Sequence, residues 1–338
     1  PHITNNYDFA EMMSELLGEL NVSHTGARYF PDGSKEPSAV LGLLYDMNYT
    51  GPGMKVAEIV KGTPFRRASS KLRPGMVIEK INGEALTDST TMDVLLKRAV
   101  RKNTLVSIYD PVSGKRFDEV VKPISRATLN NKLYDRWVER NRQLVDSLSG
   151  GRLGYVHLRD MTDESFRTIY ADMLGRYYQR EAMIIDTRWN GGGRLHEDIE
   201  VLLSGETYMT QMVHGKKAGE MPSRRWNKPS IMLICEANYS NAHGTPWVYK
   251  HKNLGKLVGA PVPGTMTSVN WIDFQDQSMF FGVPVVGMQI PDGTFLENQQ
   301  LEPDILVLND PATVVTGTDS QIEAAVAELL SQLNSKSK

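Results

Sequence analysis

The sequence lacks the features that mark disulfide-rich, membrane-spanning or nucleic-acid-binding proteins. Its single cysteine, Cys235, excludes an intramolecular disulfide. No apolar run approaches the roughly 20 residues that a helix needs to span a bilayer. Lys and Arg number 38 and Asp and Glu 40, so the formal net charge of -2 gives no general attraction to nucleic acid or to an anionic membrane. We therefore expect no membrane span and no nucleic-acid partner.

Motifs for metal or nucleotide cofactors are also missing. The glycines at 191–193 match neither the P-loop spacing nor the dinucleotide-binding spacing. His196 is followed by Glu197 but lacks the second histidine of H-E-x-x-H. Cys235 ends an apolar run and reads as a small buried thiol. The sequence therefore predicts neither a cofactor nor a metal site.

The 338 residues, 40% hydrophobic and 23% charged, are typical of a globular protein of about two domains. Residues 7–20 have apolar positions at helical spacing and predict an amphipathic helix. From residue 151 onward, short buried strands at 182–186 and 231–236 alternate with helical segments. This alternation predicts an α/β core with a mostly parallel sheet.

The segment between these parts resembles a PDZ domain. The resemblance rests on LGLL at 41–44 and on the long phrase at 53–86 that begins GMKVAEIVKG. A PDZ domain adds a peptide to a sheet edge and captures its terminal carboxylate with backbone N–H groups. Gly42 and Leu43 are the candidates for that capture, although the same residues also fit a strand with a bulge.

Two loops that follow buried strands carry candidate catalytic residues. The three glycines at 191–193 expose N–H groups that could stabilise an oxyanion. Ser240 lies at a strand-to-helix turn, where it could be a nucleophile or only a helix N-cap. A serine nucleophile needs a base, and His24 is one candidate near such a loop. Glu297 and Glu302 could each orient that base.

Five stretches, in this order, resemble the catalytic portion of tricorn protease and its relatives, which are kin to the C-terminal processing proteases. The stretches are ELNVSHTGA (19–27), IIDTRWNGGG (184–193), NYSNAHG (238–244), GKLVGAPVPGTMTS (255–268) and ENQQLEPDI (297–305). The resemblance implies an α/β multi-domain fold. In it, a PDZ-like domain is inserted beside a ClpP/crotonase-like protease core with a mostly parallel sheet. The implied domains are an N-terminal helical segment carrying Ser-His (1–36), the PDZ-like domain (37–124) and the protease core (125–338).

The resemblance also implies a catalytic tetrad. Ser240 would attack the scissile carbonyl and His24 would take its proton, with Ser23 and Glu297 orienting the imidazole. Glu297 fits better than Glu302 because it stands in the Glu-Asn pair of the motif. The implied oxyanion hole consists of the backbone N–H groups of Gly193 and Asn241.

One position distinguishes the two branches of this family. The processing proteases use a Ser-Lys dyad, and Thr265 stands where their lysine would be. His24 is then the base that the pattern offers. Two departures concern the surroundings: Pro246 predicts a late start for the helix after Ser240, and Gln300 replaces a common glycine.

The predicted function is a serine peptidase acting on short peptides or unfolded polypeptides. The alternative is an inactive PDZ-containing scaffold that binds peptides. The resemblance implies domains upstream of Pro1 and a homo-oligomer for the full-length protein, and it mildly favours an exported, periplasmic location.

Overall fold

In the computed structural model, which describes residues 3–31 and 38–336, the chain folds as two compact units. The large unit comprises Pro1–Pro31 and Asn141–Lys338, and the small unit is Asp32–Arg140. The predicted domain boundary between residues 36 and 37 lies outside the described residues. The other predicted boundary, at 124/125, stays a prediction.

The strands and helices are numbered in chain order. The strands are β1 (Ala27–Tyr29), β2 (Leu43–Tyr45), β3 (Met54–Ile59), β4 (Val77–Ile81), β5 (Glu84–Ala85), β6 (Thr104–Tyr109), β7 (Arg116–Val121), β8 (Leu153–His157), β9 (Ala182–Asp186), β10 (Met209–Val213), β11 (Lys216–Met221), β12 (Ser230–Ile234), β13 (Lys256–Gly259), β14 (Thr267–Asp273), β15 (Met279–Gly287) and β16 (Ile305–Leu306). The helices are α1 (Asn6–Gly18), α2 (Met92–Leu95), α3 (Arg126–Ser149), α4 (Asp163–Ala171), α5 (His196–Ser204), α6 (Asn241–His251), α7 (Pro311–Val314) and α8 (Ser320–Lys336). None of the helices in the described ranges is long and apolar enough to cross a membrane.

The large unit is built on a parallel sheet. Its five strands run in the order β16-β13-β12-β9-β8, and each neighbouring pair is parallel. Every residue of β9 and β12 is buried, which explains why both read as short apolar runs in the sequence. The fold is therefore mixed α/β with a parallel sheet, as the sequence predicts. Because β9 and β12 are adjacent and parallel, the loops after them lie at the same edge of the sheet.

A second sheet of the large unit brings distant parts of the chain together. It has three antiparallel strands in the order β1-β15-β14. Strand β1 directly follows the segment that carries Ser23 and His24, so its pairing with β15 fixes that segment on the large unit. The sequence analysis did not predict this sheet.

The small unit contains an antiparallel sheet. Its strands run in the order β2-β3-β4-β6-β7, and β5 pairs with β4. The short helix α2 ends at Leu95, and the carbonyl of the next residue, Leu96, accepts from the N–H of Ala39 at 2.9 Å. The unit has its own apolar core, which includes Leu41, Phe65 and Ile108.

The prediction of a late start for α6 is wrong. The helix begins at Asn241 and contains Pro246. Proline has no N–H, so the carbonyl of Ala242, four residues earlier, loses its helical partner. The side-chain amide of Asn238 donates to that carbonyl instead, at 3.1 Å. The helix can therefore continue through the proline.

A buried ion network ties the end of β9 to α8. Arg188 is 3% exposed and donates to both oxygens of Asp186 at the strand end and to both oxygens of Asp319 beside α8. Tyr155 donates to the same Asp186 carboxylate at 2.7 Å. Burial works to raise the pKa of Asp186, but the guanidinium of Arg188 holds that pKa below its ordinary value.

We expect Arg188→Met to lower the free energy of unfolding by about 3 kcal/mol, because it leaves two buried carboxylates without their counter-charge. Urea denaturation measures this loss. The matched control is Arg152→Met, which breaks a solvent-accessible pair with Glu181 and should cost far less. Equal losses in the two variants would contradict the importance of the buried network.

Candidate active site

The turn that carries Ser240 begins where β12 ends. Asn238, which is 1% exposed, supports this turn from inside. Its side-chain oxygen accepts from the N–H of Cys235 at 3.2 Å, and its side-chain amide donates to the hydroxyl of Thr187 at 2.9 Å. The turn is therefore tied to the loop that follows the neighbouring strand β9.

Ser240 has an unusual backbone conformation, with φ 57° and ψ -125°. A residue with a Cβ rarely adopts a positive φ, and such strain persists only where the surroundings enforce it. The N–H of Ser240 donates to the hydroxyl of Thr265 at 3.0 Å, and its carbonyl accepts from His243 and Gly244 at the start of α6. The Ser240 hydroxyl makes no capping hydrogen bond to this helix, so the N-cap alternative does not account for the side chain.

The glycine loop packs directly against this turn. Gly192 has φ 97°, and a Cβ there would lie 2.7 Å from the Cβ of Ser240. Gly193 has φ 139°, and a Cβ there would lie 2.3 Å from the carbonyl oxygen of Met161. Asn190 holds the loop: its side-chain oxygen accepts from the Gly192 N–H at 2.9 Å and its carbonyl accepts from the Tyr239 N–H at 3.0 Å. Any side chain at 192 or 193 would disrupt this packing.

The two predicted oxyanion donors lie on either side of this contact. Gly193 is in the loop and Asn241 is the first residue of α6. Within residues 3–31 and 38–336, neither backbone N–H donates a hydrogen bond. The side chain of Asn241 has a separate task, since its oxygen accepts from the N–H groups of Leu195 and His196 at 2.9 and 3.0 Å. Both backbone N–H groups are thus unpaired within the described residues.

Ser23, His24 and Glu297 form a hydrogen-bonded chain. The hydroxyl of Ser23 lies 2.8 Å from Nδ1 of His24 and donates to Oε2 of Glu297 at 3.0 Å. The Ser23 N–H donates to the other oxygen of the same carboxylate. Side chains of sequence neighbours usually diverge, but His24 has φ 65°, and with this left-handed backbone the two side chains meet.

Two residues of this site were missed by the sequence analysis. The hydroxyl of Thr267 lies 3.1 Å from both Ser23 Oγ and His24 Nδ1. The hydroxyl of Tyr239 accepts from the His24 N–H at 2.7 Å, and the two rings lie 4.7 Å apart. Tyr239 and Thr267 lie within two of the five stretches that resemble the family, but a tyrosine beside a serine and a threonine at the start of a strand do not by themselves indicate a contact with His24.

The imidazole of His24 is half-buried. Its burial lowers its pKa below the ordinary value of a histidine, and the negative charge of Glu297 opposes that effect. The ring is therefore mostly neutral near pH 7, as a general base must be.

The hydroxyl of Tyr239, the residue before Ser240, accepts from the His24 N–H and so brings Ser23, His24 and Glu297 next to the turn of Ser240. Within the described residues, no hydrogen bond joins Ser240 to His24. His243, three residues after Ser240, is fully buried. Burial lowers the pKa of His243 to about 4, and its Nδ1 accepts from the N–H of Thr265 at 3.3 Å.

Glu302 and Cys235 have no part in this group. Glu302 is exposed, and one of its oxygens accepts from the side-chain amide of Gln300. Cys235 is buried, and burial raises the pKa of its thiol, which makes a thiolate nucleophile unfavourable.

Gly42 and Leu43 lie in the small unit at the start of the edge strand β2. Gly42 has φ 75°, and a Cβ there would lie 2.3 Å from the Cβ of Thr63. Its carbonyl accepts from the Val60 N–H at 3.1 Å and from the Thr63 hydroxyl at 3.2 Å. Close packing against Thr63 is thus one reason for a glycine at this position.

The pKa of His24 offers a direct test of its pairing with Glu297. Glu297→Gln removes the negative charge that raises this pKa, so the pKa should fall further below the wild-type value. An NMR titration of the His24 ring protons measures the change. Glu302→Gln is the matched control and should leave the His24 titration unaltered. A rise in the Glu297→Gln variant, or equal shifts in both variants, would contradict the assignment.

Several known peptidases are similar to this chain in sequence or in structure. The family model described as Peptidase family S41 matches residues 152–307. A tricorn-like protease C-terminal subunit from Sulfurisphaera tokodaii is 27% identical over 99% of this chain and 40% of its own length. The tricorn protease of Thermoplasma acidophilum is 23% identical over 98% of this chain and 32% of its own length. The chain thus spans less than half the length of these relatives.

A solved structure of the tricorn protease shares the fold. It superimposes with a TM-score of 0.78 at 21% identity, covering 98% of this chain and 33% of that one. The match extends over nearly the whole chain, as the five motifs of the sequence predict. These findings bear out the predicted resemblance: residues 152–307 match the S41 peptidase model, and the chain is similar to tricorn proteases over nearly its whole length.

Proposed function

We propose that this chain carries the active site of a serine peptidase that hydrolyses peptide bonds in short peptides or unfolded polypeptides. The observation that carries the proposal is the chain of hydrogen bonds from Glu297 through Ser23 to His24, placed beside the turn of Ser240. A carboxylate, a hydroxyl and an imidazole in this order are the means by which a serine hydroxyl is activated.

The hydrogen bonds assign the protons. Ser23 donates its hydroxyl proton to Glu297, so its oxygen can accept from Nδ1–H of His24. That tautomer leaves the lone pair of Nε2 free to take the proton of Ser240 as its oxygen attacks the scissile carbonyl. The imidazolium that forms is stabilised through Ser23 by the negative charge of Glu297. It then protonates the leaving amine, and water releases the acyl group by the same steps.

The N–H groups of Gly193 and Asn241 are suited to bind the oxyanion of the tetrahedral intermediate. Asn241 directly follows Ser240, and Gly193 follows Gly192, where a Cβ would lie 2.7 Å from the Ser240 Cβ. The positive end of the α6 dipole adds to the field that stabilises negative charge there. The inactive scaffold remains the second candidate, because no hydrogen bond joins Ser240 to His24 within the described residues. Catalytic hydrogen bonds often form only with substrate in place.

We also propose that the small unit is a PDZ-like module inserted in the chain. Its antiparallel order and its edge strand β2 favour this assignment. The large unit, with its parallel sheet, fits a ClpP/crotonase-like core. Peptide capture at Gly42 and Leu43 would use the edge of β2 that pairs with no other strand in the described ranges.

Labelling with a fluorophosphonate tests the proposed nucleophile and base. Wild-type protein should be labelled, whereas Ser240→Ala and His24→Ala should react slower by on the order of 10⁴-fold. The matched controls are Ser147→Ala and His214→Ala, which replace an exposed serine and an exposed histidine and should react like wild type.

A folded wild-type protein that stays unlabelled would contradict the peptidase and favour the scaffold. Labelling that persists in Ser240→Ala would place the nucleophile elsewhere. Mass spectrometry of the labelled peptide separates these outcomes.

A further inference from the structure

Residues 264–267 contact three parts of the site: the turn of Ser240, the Ser23–His24 pair and the backbone beside Glu297. Its second residue, Thr265, accepts from the Ser240 N–H at 3.0 Å through its hydroxyl. The backbone N–H of Thr265 donates to Nδ1 of the buried His243, three residues after Ser240. Thr265 therefore holds the turn at Ser240 through two hydrogen bonds, one to the strained residue and one to the first turn of α6.

The fourth residue of the segment, Thr267, holds the base. It is 8% exposed, and its hydroxyl lies 3.1 Å from both Nδ1 of His24 and Oγ of Ser23. This second oxygen beside Nδ1 restricts rotation of the imidazole, because the ring N–H then has two acceptors within reach, Ser23 Oγ and Thr267 Oγ1. Within the described residues, Thr267 makes no hydrogen bond to Ser240 or to the glycine loop.

The remaining two residues anchor the segment. Met266 is 5% exposed and packs against α6, where a Cβ on Gly244 would lie 2.6 Å from its methyl carbon. The carbonyl of Gly264 accepts from the N–H of Asn298, the residue after Glu297, at 3.0 Å. A Cβ on Gly264 would lie 2.2 Å from the backbone nitrogen of Gln299, so the two stretches are in direct contact.

We propose that residues 264–267 form a clamp that sets the distance and orientation between Ser240 and His24, with Thr265 and Thr267 as positioning residues. The inference rests on the proposed function. It assigns Thr265 a task of its own: a hydroxyl acceptor for the nucleophile's backbone takes the place where the related processing proteases carry a lysine. The two hydroxyls lie two residues apart on one short segment, so a displacement of either half of the site is resisted by the other.

Replacement of each hydroxyl by a methyl group of the same shape tests the clamp. Thr265→Val leaves the Ser240 N–H without its acceptor, and Thr267→Val removes the second oxygen beside Nδ1. Each change should slow fluorophosphonate labelling by about tenfold or more. With a peptide substrate, kcat should fall by a similar factor while KM changes little, because the hydroxyls contact catalytic residues and not the peptide.

Conservative variants separate positioning from folding. Thr265→Ser and Thr267→Ser keep the hydroxyl and should restore most of the labelling rate. The matched control is Thr168→Val on α4, which removes an exposed threonine hydroxyl bonded to the Glu164 carbonyl and should have no effect. Melting temperatures confirm that each variant is folded.

Labelling of both valine variants at the wild-type rate, in folded protein, would overturn the clamp and leave the proposed function intact. If wild type itself is unlabelled, the proposed function fails, and amide hydrogen exchange then decides on the clamp. Exchange of the Ser240 N–H should be at least about tenfold faster in Thr265→Val than in wild type or in Thr168→Val. Unchanged exchange would overturn the clamp independently of activity.

Discussion

Ser240 has a backbone conformation that is unfavourable by about 1–3 kcal/mol for a residue with a Cβ. Many contacts of the site stabilise this conformation. Gly192 has no side chain, so the glycine loop can approach to a distance that a Cβ would prevent. Asn190 holds that loop and accepts from the N–H of Tyr239. Thr265 accepts from the N–H of Ser240 itself. These contacts come from the loops after neighbouring strands, and together they stabilise the strained turn. In this turn the Ser240 hydroxyl makes no capping hydrogen bond to α6.

The second constraint is distance along the chain. Ser23 and Glu297 are 274 residues apart in sequence but hydrogen-bonded through both the backbone and the side chain of the serine. The pairing of β1 with β15 brings the N-terminal segment to this place, and β14 of the same sheet begins at Thr267. His24 therefore meets Glu297 and Thr267 only through contacts between distant parts of the chain. Because its assembly depends on tertiary structure, the site is sensitive to substitutions far from the reacting atoms.

The structural elements that could be predicted from the sequence are those with a recognisable local pattern of apolar residues. Strand β9 reads correctly because all its residues are apolar except the terminal Asp186, as expected of a strand buried on both faces. The course of α6 through Pro246 could not be foreseen, since the freed carbonyl is taken by a side chain outside the helix. Ser23 and Glu297 were predicted from resemblance to a family, whereas the contacts of Thr267, which lies in one of the five stretches, appear only in the structure. Local patterns thus indicate candidate site residues but not the side chains that pack around them.

A peptidyl chloromethyl ketone tests whether Ser240 attacks a substrate carbonyl with His24 as its base. Such a reagent binds a serine oxygen at its ketone carbon and alkylates a histidine nitrogen at its methylene carbon, so both residues must reach one molecule. If Ser240 and His24 act together, peptide mapping by mass spectrometry should find the adduct on His24 in wild-type protein, and Ser240→Ala should lose it. An unmodified His24, or equal modification in Ser240→Ala, would contradict this pairing of nucleophile and base.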